Sequence, residues 1–276
     1  MATLTGSIVL FNNEPAKLTQ AISSFLNTKA HVKLYLIDNS PTDSLKALVA
    51  DSRIEYYHNP ANPGFGAAHN IAIRRAFKTT STYHLVLNPD VYFEGGTLEQ
   101  LIAFMDANEN VGNVMPKVLY PNGDVQYLCK LLPTPYDWIG RRFNPIKSLV
   151  ENRNKVFELR FSGYNKIMEV PYLSGCFMFL RTSALRQIGL FDENIFMYGE
   201  ETDLCRRLIK SKYKTVFFPE VSIYHYFEKG SHKSWRLTMI GIKSALYYFN
   251  KWGWFLDSER RRINKSTLRK LNIKLE

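Results

Sequence analysis

His84-Leu85-Val86-Leu87-Asn88-Pro89-Asp90-Val91 carries an apolar run into a proline and sets a carboxylate just past the break. Pro89 has no amide proton for a sheet ladder and pushes Asn88 toward extended geometry, so the strand ends there with Asp90 at the rim. In open α/β sheets the crevice beyond the carboxyl ends of the strands is where ligands collect. Working outward, the first half alternates strands with helical stretches, the pattern of an α/β fold with a mostly parallel, Rossmann-like sheet wrapped by helices. The spacing predicts strands at Ser7 to Phe11, Lys33 to Ile37, Ile54 to Tyr57, Tyr83 to Leu87 and Val111 to Met115. It predicts helices at Pro15 to Leu26, Ser44 to Ala50, Ala67 to Phe77 and Thr97 to Asn108. Pro121-Asn122-Gly123-Asp124, between Val118–Tyr120 and Val125–Leu128, reads as a hairpin turn.

The 276 residues allow one large domain with an appendage, and the apolar content suffices for a full core. Cys129, Cys176 and Cys205 stand singly, which reads as buried, reduced thiols in a cytosolic protein. No leader segment is expected from the first residues, and no uncharged run reaches the roughly 18 residues of a spanning helix. The net charge of +11 is concentrated at the end: from Lys229 onward twelve Lys or Arg face three acids. A basic, aromatic tail suits an anionic membrane surface; a solvated tail is the plainer reading.

Residues 130–168 break the alternation and read as a mobile insertion, leaving 1–228 as the catalytic domain and 229–276 as a basic helical extension. Val170 to Leu173 and Cys176 to Leu180 read as buried strands. Thr182 is placed as the cap of a short helix to Ile188, ended by Gly189. The acidic cluster Glu200-Glu201-Thr202-Asp203 opens a helix to Ile209, and strands follow at Thr215 to Phe218 and Val221 to His225. Two acidic sites far apart in sequence point to metal or acid/base chemistry.

Eight motifs in order carry a family likeness. They are Asn12-Asn13-Glu14, Ile37-Asp38-Asn39-Ser40, Asn62-Pro63-Gly64-Phe65-Gly66-Ala67-Ala68-His69-Asn70, Asn88-Pro89-Asp90, Ser174-Gly175-Cys176-Phe177-Met178, Gly189-Leu190-Phe191-Asp192-Glu193, the Glu200 to Asp203 cluster, and His225. Over roughly residues 5 to 255 the chain resembles the family 2 glycosyltransferases of GT-A fold, and within them the rhamnosyltransferase-like branch of bacterial surface-polysaccharide and lipopolysaccharide O-antigen assembly. The resemblance implies an inverting transfer from a nucleotide-sugar donor, with Mg²⁺ or Mn²⁺ as cofactor. The acceptor it implies is a saccharide or a polyprenyl-linked saccharide. dTDP-rhamnose is the first choice of donor and a UDP-hexose the second.

Asp38 and Asn39 end the second strand, where a carboxylate accepts hydrogen bonds from a base or ribose; a turn cap through Ser40 is the local alternative. The resemblance makes Gly64, Phe65 and Asn70 donor-pocket residues, with Asn88 beside them. Asp90 is the metal candidate, and the resemblance adds His225 as a second ligand. Lys229, Ser231 and Lys233, in the loop behind His225, are candidates to clasp the diphosphate, a solvated loop being the plainer alternative. Relatives often carry a second aspartate where this chain has Asn88. The general base is assigned to Glu201 or Glu200, the family's usual Glu-Asp being Glu-Glu here. Acids opening a helix also serve simply as macrodipole partners. Gly175, Asp203 and Arg206 are assigned to the acceptor side, the last two expected to pair across one helical turn. His31, His58, His69 and His84 are read as structural.

From Ser234 to Phe255, Trp235, Met239, Ile242, Leu246 and Phe249 form one apolar helical stripe. It is expected to pack on the sheet or a homodimer partner, or to dock on the inner, cytoplasmic leaflet, making the protein peripheral there. A non-catalytic nucleotide-sugar-binding module is the rival reading. Nucleic acid is not expected as a partner, because no recognition motif accompanies the charge. A processive synthase is disfavoured, since Gln-x-x-Arg-Trp and spanning helices are missing.

Overall fold

The computed structural model describes residues 4–227 and 234–272. Its first half is β1 (Leu4–Leu10), α1 (Pro15–Leu26), β2 (Val32–Asp38), β3 (Ile54–His58), α2 (Phe65–Ala76), β4 (Tyr83–Leu87), β5 (Val91–Phe93), α3 (Thr97–Asp106) and β6 (Val111–Leu119). The second half adds β7 (Cys129–Lys130), α4 (Arg141–Phe143), α5 (Lys147–Phe157), β8 (Met168–Glu169), β9 (Tyr172–Leu173), β10 (Phe177–Arg181), α6 (Thr182–Ile188), α7 (Glu200–Lys210), β11 (Lys214–His225), α8 (Trp235–Trp252) and α9 (Ser258–Lys270). The main sheet runs β3-β2-β1-β4-β10-β6-β11-β5, with β8 on β11. β1 pairs in parallel with both β2 and β4, so the chain order reverses beside β1 and opens a crevice at the carboxyl ends. β10 runs antiparallel between β4 and β6.

All five expected first-half strands form, with ends shifted by a few residues. Their side chains make the core: Leu4, Ile8, Leu34, Leu36, Leu85, Leu87 and Phe179 are fully buried. The expected helix at Ser44 to Ala50 is a 3₁₀ turn ending at Leu48. The expected hairpin shrinks to one bridge, Leu119 to Val125, because β6 spends its length on β11. Thr182 is the first residue of α6 rather than its cap, Arg181 holding that position. The two strands expected after Thr215 are one, β11, with a register shift between Phe218 and Ser222 against β6.

Residues 130–168, read as an irregular insertion, hold a π-helical turn at Tyr136–Gly140 followed by α4 and α5. Their anchor is Asp137, whose carboxylate is 2.6 Å from Arg153 Nε and accepts from the Thr134 hydroxyl at 2.7 Å. Prolines and polar helix faces hid this in the sequence. The histidines His69 and His84 are structural, as expected: Ser7 Oγ bridges His69 Nδ1 and His84 Nε2 at 2.7 and 2.8 Å beneath the sheet. Burial holds His84 down at about 3, so the chain of bonds is uncharged. The three cysteines are buried and unpaired.

Candidate active site

β5 pairs with β11 so that Val91 faces His225, and this register brings the preceding Asp90 to the histidine. Asp90 Oδ1 lies 3.5 Å from His225 Nε2. On the ring's far side Nδ1 meets Gln126 Oε1 at 3.0 Å, while Gln126 Nε2 donates to the His225 carbonyl at 2.8 Å. An acceptor at Nδ1 fixes one proton there and leaves Nε2 facing Asp90. Burial works against charge on His225, yet Cys176 and Asp90 beside it raise it to about 10. Gln126 left no signal in the sequence; it is a lone polar residue in the stretch after the 121–124 turn.

Glu201 sits at the other side of the crevice, in the first turn of α7. Its Oε1 accepts from Tyr172 Oη at 2.9 Å and its Oε2 from the Gly199 amide at 3.0 Å. Burial and the neighbouring Glu201 charge push the Tyr172 phenol well up, so it stays a donor. Gly199 holds φ near 105°, and a Cβ there would fall 2.3 Å from the Trp138 ring, so glycine is required both by backbone and by space. Glu200 is different. It is buried, its Oε2 has no partner among the described residues, and burial with the Glu201 charge pushes its carboxyl well above the ordinary range. Glu201, with both oxygens held at the crevice by Tyr172 and the Gly199 amide, is therefore the better-placed candidate base, and Glu200 is turned into the interior.

One turn joins the two sides. Gly175 lies against Glu201, a Cβ there meeting Glu201 Cβ at 3.5 Å, and the next residue, Cys176, accepts the Asn88 amide at 2.9 Å through its carbonyl. Consecutive Cα atoms are about 3.8 Å apart, so Asn88-Pro89-Asp90 and Glu201 border the same Ser174–Cys176 turn.

The remaining expected site residues divide sharply. Asp38 is fully buried and already accepts the Ser40 amide at 2.9 Å and the Tyr56 hydroxyl at 2.6 Å, the turn-cap arrangement. Asn39 is buried and takes a bond from Asn59 Nδ2 at 3.0 Å. Gly64 is required by the chain itself, since a Cβ would strike the Phe196 carbonyl oxygen at 2.2 Å. Phe65 donates its amide to that oxygen at 2.8 Å. Asn70 bonds Phe191 through both amide atoms and also Glu193, stapling α2 to the loop after Gly189. These five therefore build the crevice wall through protein contacts.

The expected Asp203–Arg206 pair does not form. Asp203 Oδ2 accepts from Arg207 Nε at 2.8 Å, four residues on, and Oδ1 from Trp252 Nε1 at 2.8 Å. Arg206 turns away to a two-pronged bond with Asp257 at 2.6 and 2.8 Å. Both residues are buried, so they tie α7 to the C-terminal helices, and neither faces an acceptor. Lys229, Ser231 and Lys233 lie outside the described residues.

No group of three or more His, Cys, Asp or Glu side chains shaped for a metal occurs among the described residues. Asp90 and His225 nevertheless fit a divalent ion of the kind that takes few protein ligands and completes its shell with phosphate oxygens and water. Asp90 is about a quarter exposed, and Gln126 holds the ring by Nδ1, so that an ion displacing the Nε2 proton would find that nitrogen already turned toward Asp90.

The helix-flanked, mostly parallel sheet is that of the GT-A glycosyltransferases: a crystal structure of GalNAc-T7 with UDP, GalNAc and Mn2+ matches with TM-score 0.63 at 14% identity, over 99% of this chain and 56% of that one. The model of glycosyl transferase family 2 matches residues 7–189, and the chain belongs to that family. That match contains Asp38, Asp90 and Gly175 and stops before Glu200, Glu201 and His225. Within the family the chain is rhamnosyltransferase-like. It is 27% identical over 213 residues to the N-acetylglucosaminyl-diphospho-decaprenol L-rhamnosyltransferase of Mycobacterium tuberculosis, covering 73% of this chain and 68% of that protein. It is 25% identical over 206 residues to rhamnosyltransferase WbbL of Escherichia coli, covering 71% and 73%.

Proposed function

We propose that this chain is an inverting, metal-dependent glycosyltransferase that moves rhamnose from dTDP-rhamnose to a saccharide carried on a polyprenyl diphosphate, in bacterial surface-polysaccharide assembly. The observation that supports it is the pairing of Asp90–His225 and Glu201 around the single Ser174–Cys176 turn. Asp90 and His225 would hold Mg²⁺ or Mn²⁺ at the donor's diphosphate end, where the ion would supply charge neutralisation for the leaving group. Glu201, aimed by Tyr172 and the Gly199 amide, takes the proton of the acceptor hydroxyl as it attacks the anomeric carbon from the opposite face. Neither nucleotide nor sugar is fixed by this geometry alone, and the rhamnosyl assignment rests on the two relatives. Transfer assays with dTDP-rhamnose, UDP-glucose and UDP-galactose test it. Rhamnose transfer is the expected result; turnover of a UDP-hexose alone overturns the donor, and donor binding without any turnover supports the non-catalytic rival.

The acceptor is met at a membrane. The apolar stripe expected to pack on the sheet faces out instead: Trp235 is 73% exposed, Met239 37% and Leu246 42%, and of the five stripe residues Phe249 is buried. The buried face of α8 is the adjacent one, Thr238, Ser244, Ala245, Tyr248 and Phe249. From Ser234 to Leu256 there is no acid, while Arg236 and Lys243 flank the stripe and Arg261, Arg262, Lys265 and Arg269 are exposed on α9. Apolar rings bordered by cations complement an anionic leaflet. Co-sedimentation with phosphatidylglycerol vesicles that weakens in salt and is lost in the Trp235→Ser, Leu246→Ser double variant is expected. Equal binding to neutral phosphatidylcholine vesicles, or none to either, removes the membrane, and a concentration-dependent dimer lost in the same variant replaces it.

A further inference from the structure

A second cleft adjoins the base. β7 and β9 pair so that Lys130 stands opposite Tyr172, with Lys130 Nζ 5.4 Å from the centre of its ring. A cavity of about 70 Å³, room for several waters, is lined by Lys130, Trp138, Arg141, Tyr172 and Thr202, with Pro133 and Phe157 closing its apolar side. Its walls are the groups that position Glu201: Tyr172 donates to that carboxylate, and Trp138 packs on Gly199, whose amide donates to it.

Two groups inside the cleft are open to a ligand. Thr202 is 1% exposed, and its Oγ1 reaches no hydrogen-bond partner at full bonding distance; it lies beside a Tyr172 hydroxyl whose proton is already given to Glu201. Lys130 makes no hydrogen bond or ion pair with any described residue, although burial lowers its ammonium from the ordinary value and Glu158 partly offsets that. The cleft's own carboxylate, Asp137, is consumed by Arg153 and Thr134. A buried hydroxyl without a partner is costly unless something else meets it, and a half-buried ammonium that no carboxylate holds is open to an anion.

We propose that this cleft is the anion subsite of the acceptor: Lys130 and Arg141 take the phosphate oxygens next to the acceptor sugar, Thr202 Oγ1 donates to the same group, and Trp138 covers the sugar face. The assignment deepens the transferase reading and rests on it for the identity of the acceptor. It explains why Lys130 sits one side chain, Tyr172, away from the base, with Arg141 lining the same cleft while it also donates to Asn154 at 2.9 Å and lies 3.7 Å from Glu158. The phosphate serves as a handle that places the neighbouring hydroxyl at Glu201.

Two N-acetylglucosamine acceptors with the same short alkyl chain separate the alternatives, one joined through a diphosphate and one a plain glycoside. In Lys130→Met the ratio of kcat/KM for the charged over the neutral acceptor should fall at least about tenfold, the worth of one charge-assisted contact, with Lys130→Arg restoring much of it. An unchanged ratio overturns the subsite. If the unaltered protein uses neither acceptor, the functional reading fails instead, and direct binding decides the cleft. Inorganic pyrophosphate is then titrated with dTDP saturating the donor side; binding lost in both Lys130→Met and Thr202→Val supports the subsite, and binding retained in both overturns it. Thermal melting of each variant identifies any that fails to fold.

Discussion

Asp90 and Glu201 both end at the same turn, yet they are built in opposite ways. Asp90 keeps about a quarter of its side chain in solvent and has, among the described residues, one loose ionic neighbour, His225 at 3.5 Å. Glu201 has both oxygens fixed by donors at 2.9 and 3.0 Å. The difference fits two tasks. A group that shares an ion with an incoming diphosphate must leave coordination positions open, whereas a base gains from being held in one geometry before the substrate arrives. On the proposed reading Asp90 would be completed by its ligand, whereas Glu201 is held by the protein itself.

The sharpest way to break this contrast is to remove each carboxylate. Asp90→Ala should lower transfer by about 10²- to 10³-fold or more, since electrostatic stabilisation of a leaving group is commonly the largest contribution, and it should abolish any Mn²⁺ dependence of donor binding measured by calorimetry. Glu201→Gln should cost about 10²- to 10⁴-fold in kcat while leaving dTDP affinity unchanged, because the amide keeps the shape and one acceptor. Third in size is the anchor behind the base. Asp257→Ala leaves buried Arg206 with Glu259 in place of its two-pronged partner and should cost about 3 kcal/mol in denaturant unfolding, with a lower melting temperature and the start of α9 released from α7.

The smallest effect sharpens the contrast between the two neighbouring glutamates. Glu200 has its folded-state carboxyl raised by burial, so between the ordinary carboxylate pKa and that higher value the native state holds a proton the unfolded state has lost. Stability from this group then falls as pH rises through that window. Glu200→Gln should remove the slope and raise the melting temperature at pH 7 by a few degrees, with little loss of transfer. A collapse of turnover in Glu200→Gln would move the base to Glu200.

How much was legible in the sequence follows the same division. The strands of the parallel half were readable because buried runs such as Leu34-Tyr35-Leu36-Ile37 and Leu85-Val86-Leu87 need no partner to declare themselves. Asp90 was readable because a proline ends its strand. The partners of the site were not. Gln126 reaches His225 across 99 residues and Tyr172 reaches Glu201 across 29, and nothing local in either stretch signals the contact. The acceptor-side reading of Arg206 failed for a related reason: helical spacing offered Asp203 three residues away, but a second carboxylate brought in by the C-terminal helices competes better, and Asp203 takes Arg207 and Trp252. The apolar stripe on α8 was seen correctly as a stripe, while its direction depended on where Tyr248 and Phe249 would lodge against Trp138. Asn70 and Gly64 carried the family pattern for reasons internal to the chain, a staple to Phe191 and a close approach to Phe196.

The central claim is that Asp90 serves the leaving nucleotide and Glu201 the attacking hydroxyl of one displacement. Single-turnover transfer from dTDP-rhamnose, measured with dTDP affinity in the same Mn²⁺-containing buffer, tests it directly in Asp90→Ala and Glu201→Gln. The account expects Glu201→Gln to bind dTDP as tightly as the unaltered protein and transfer at least about a hundredfold more slowly, and Asp90→Ala to lose both. Equal loss of dTDP affinity in the two variants, or full transfer by Glu201→Gln, would contradict it.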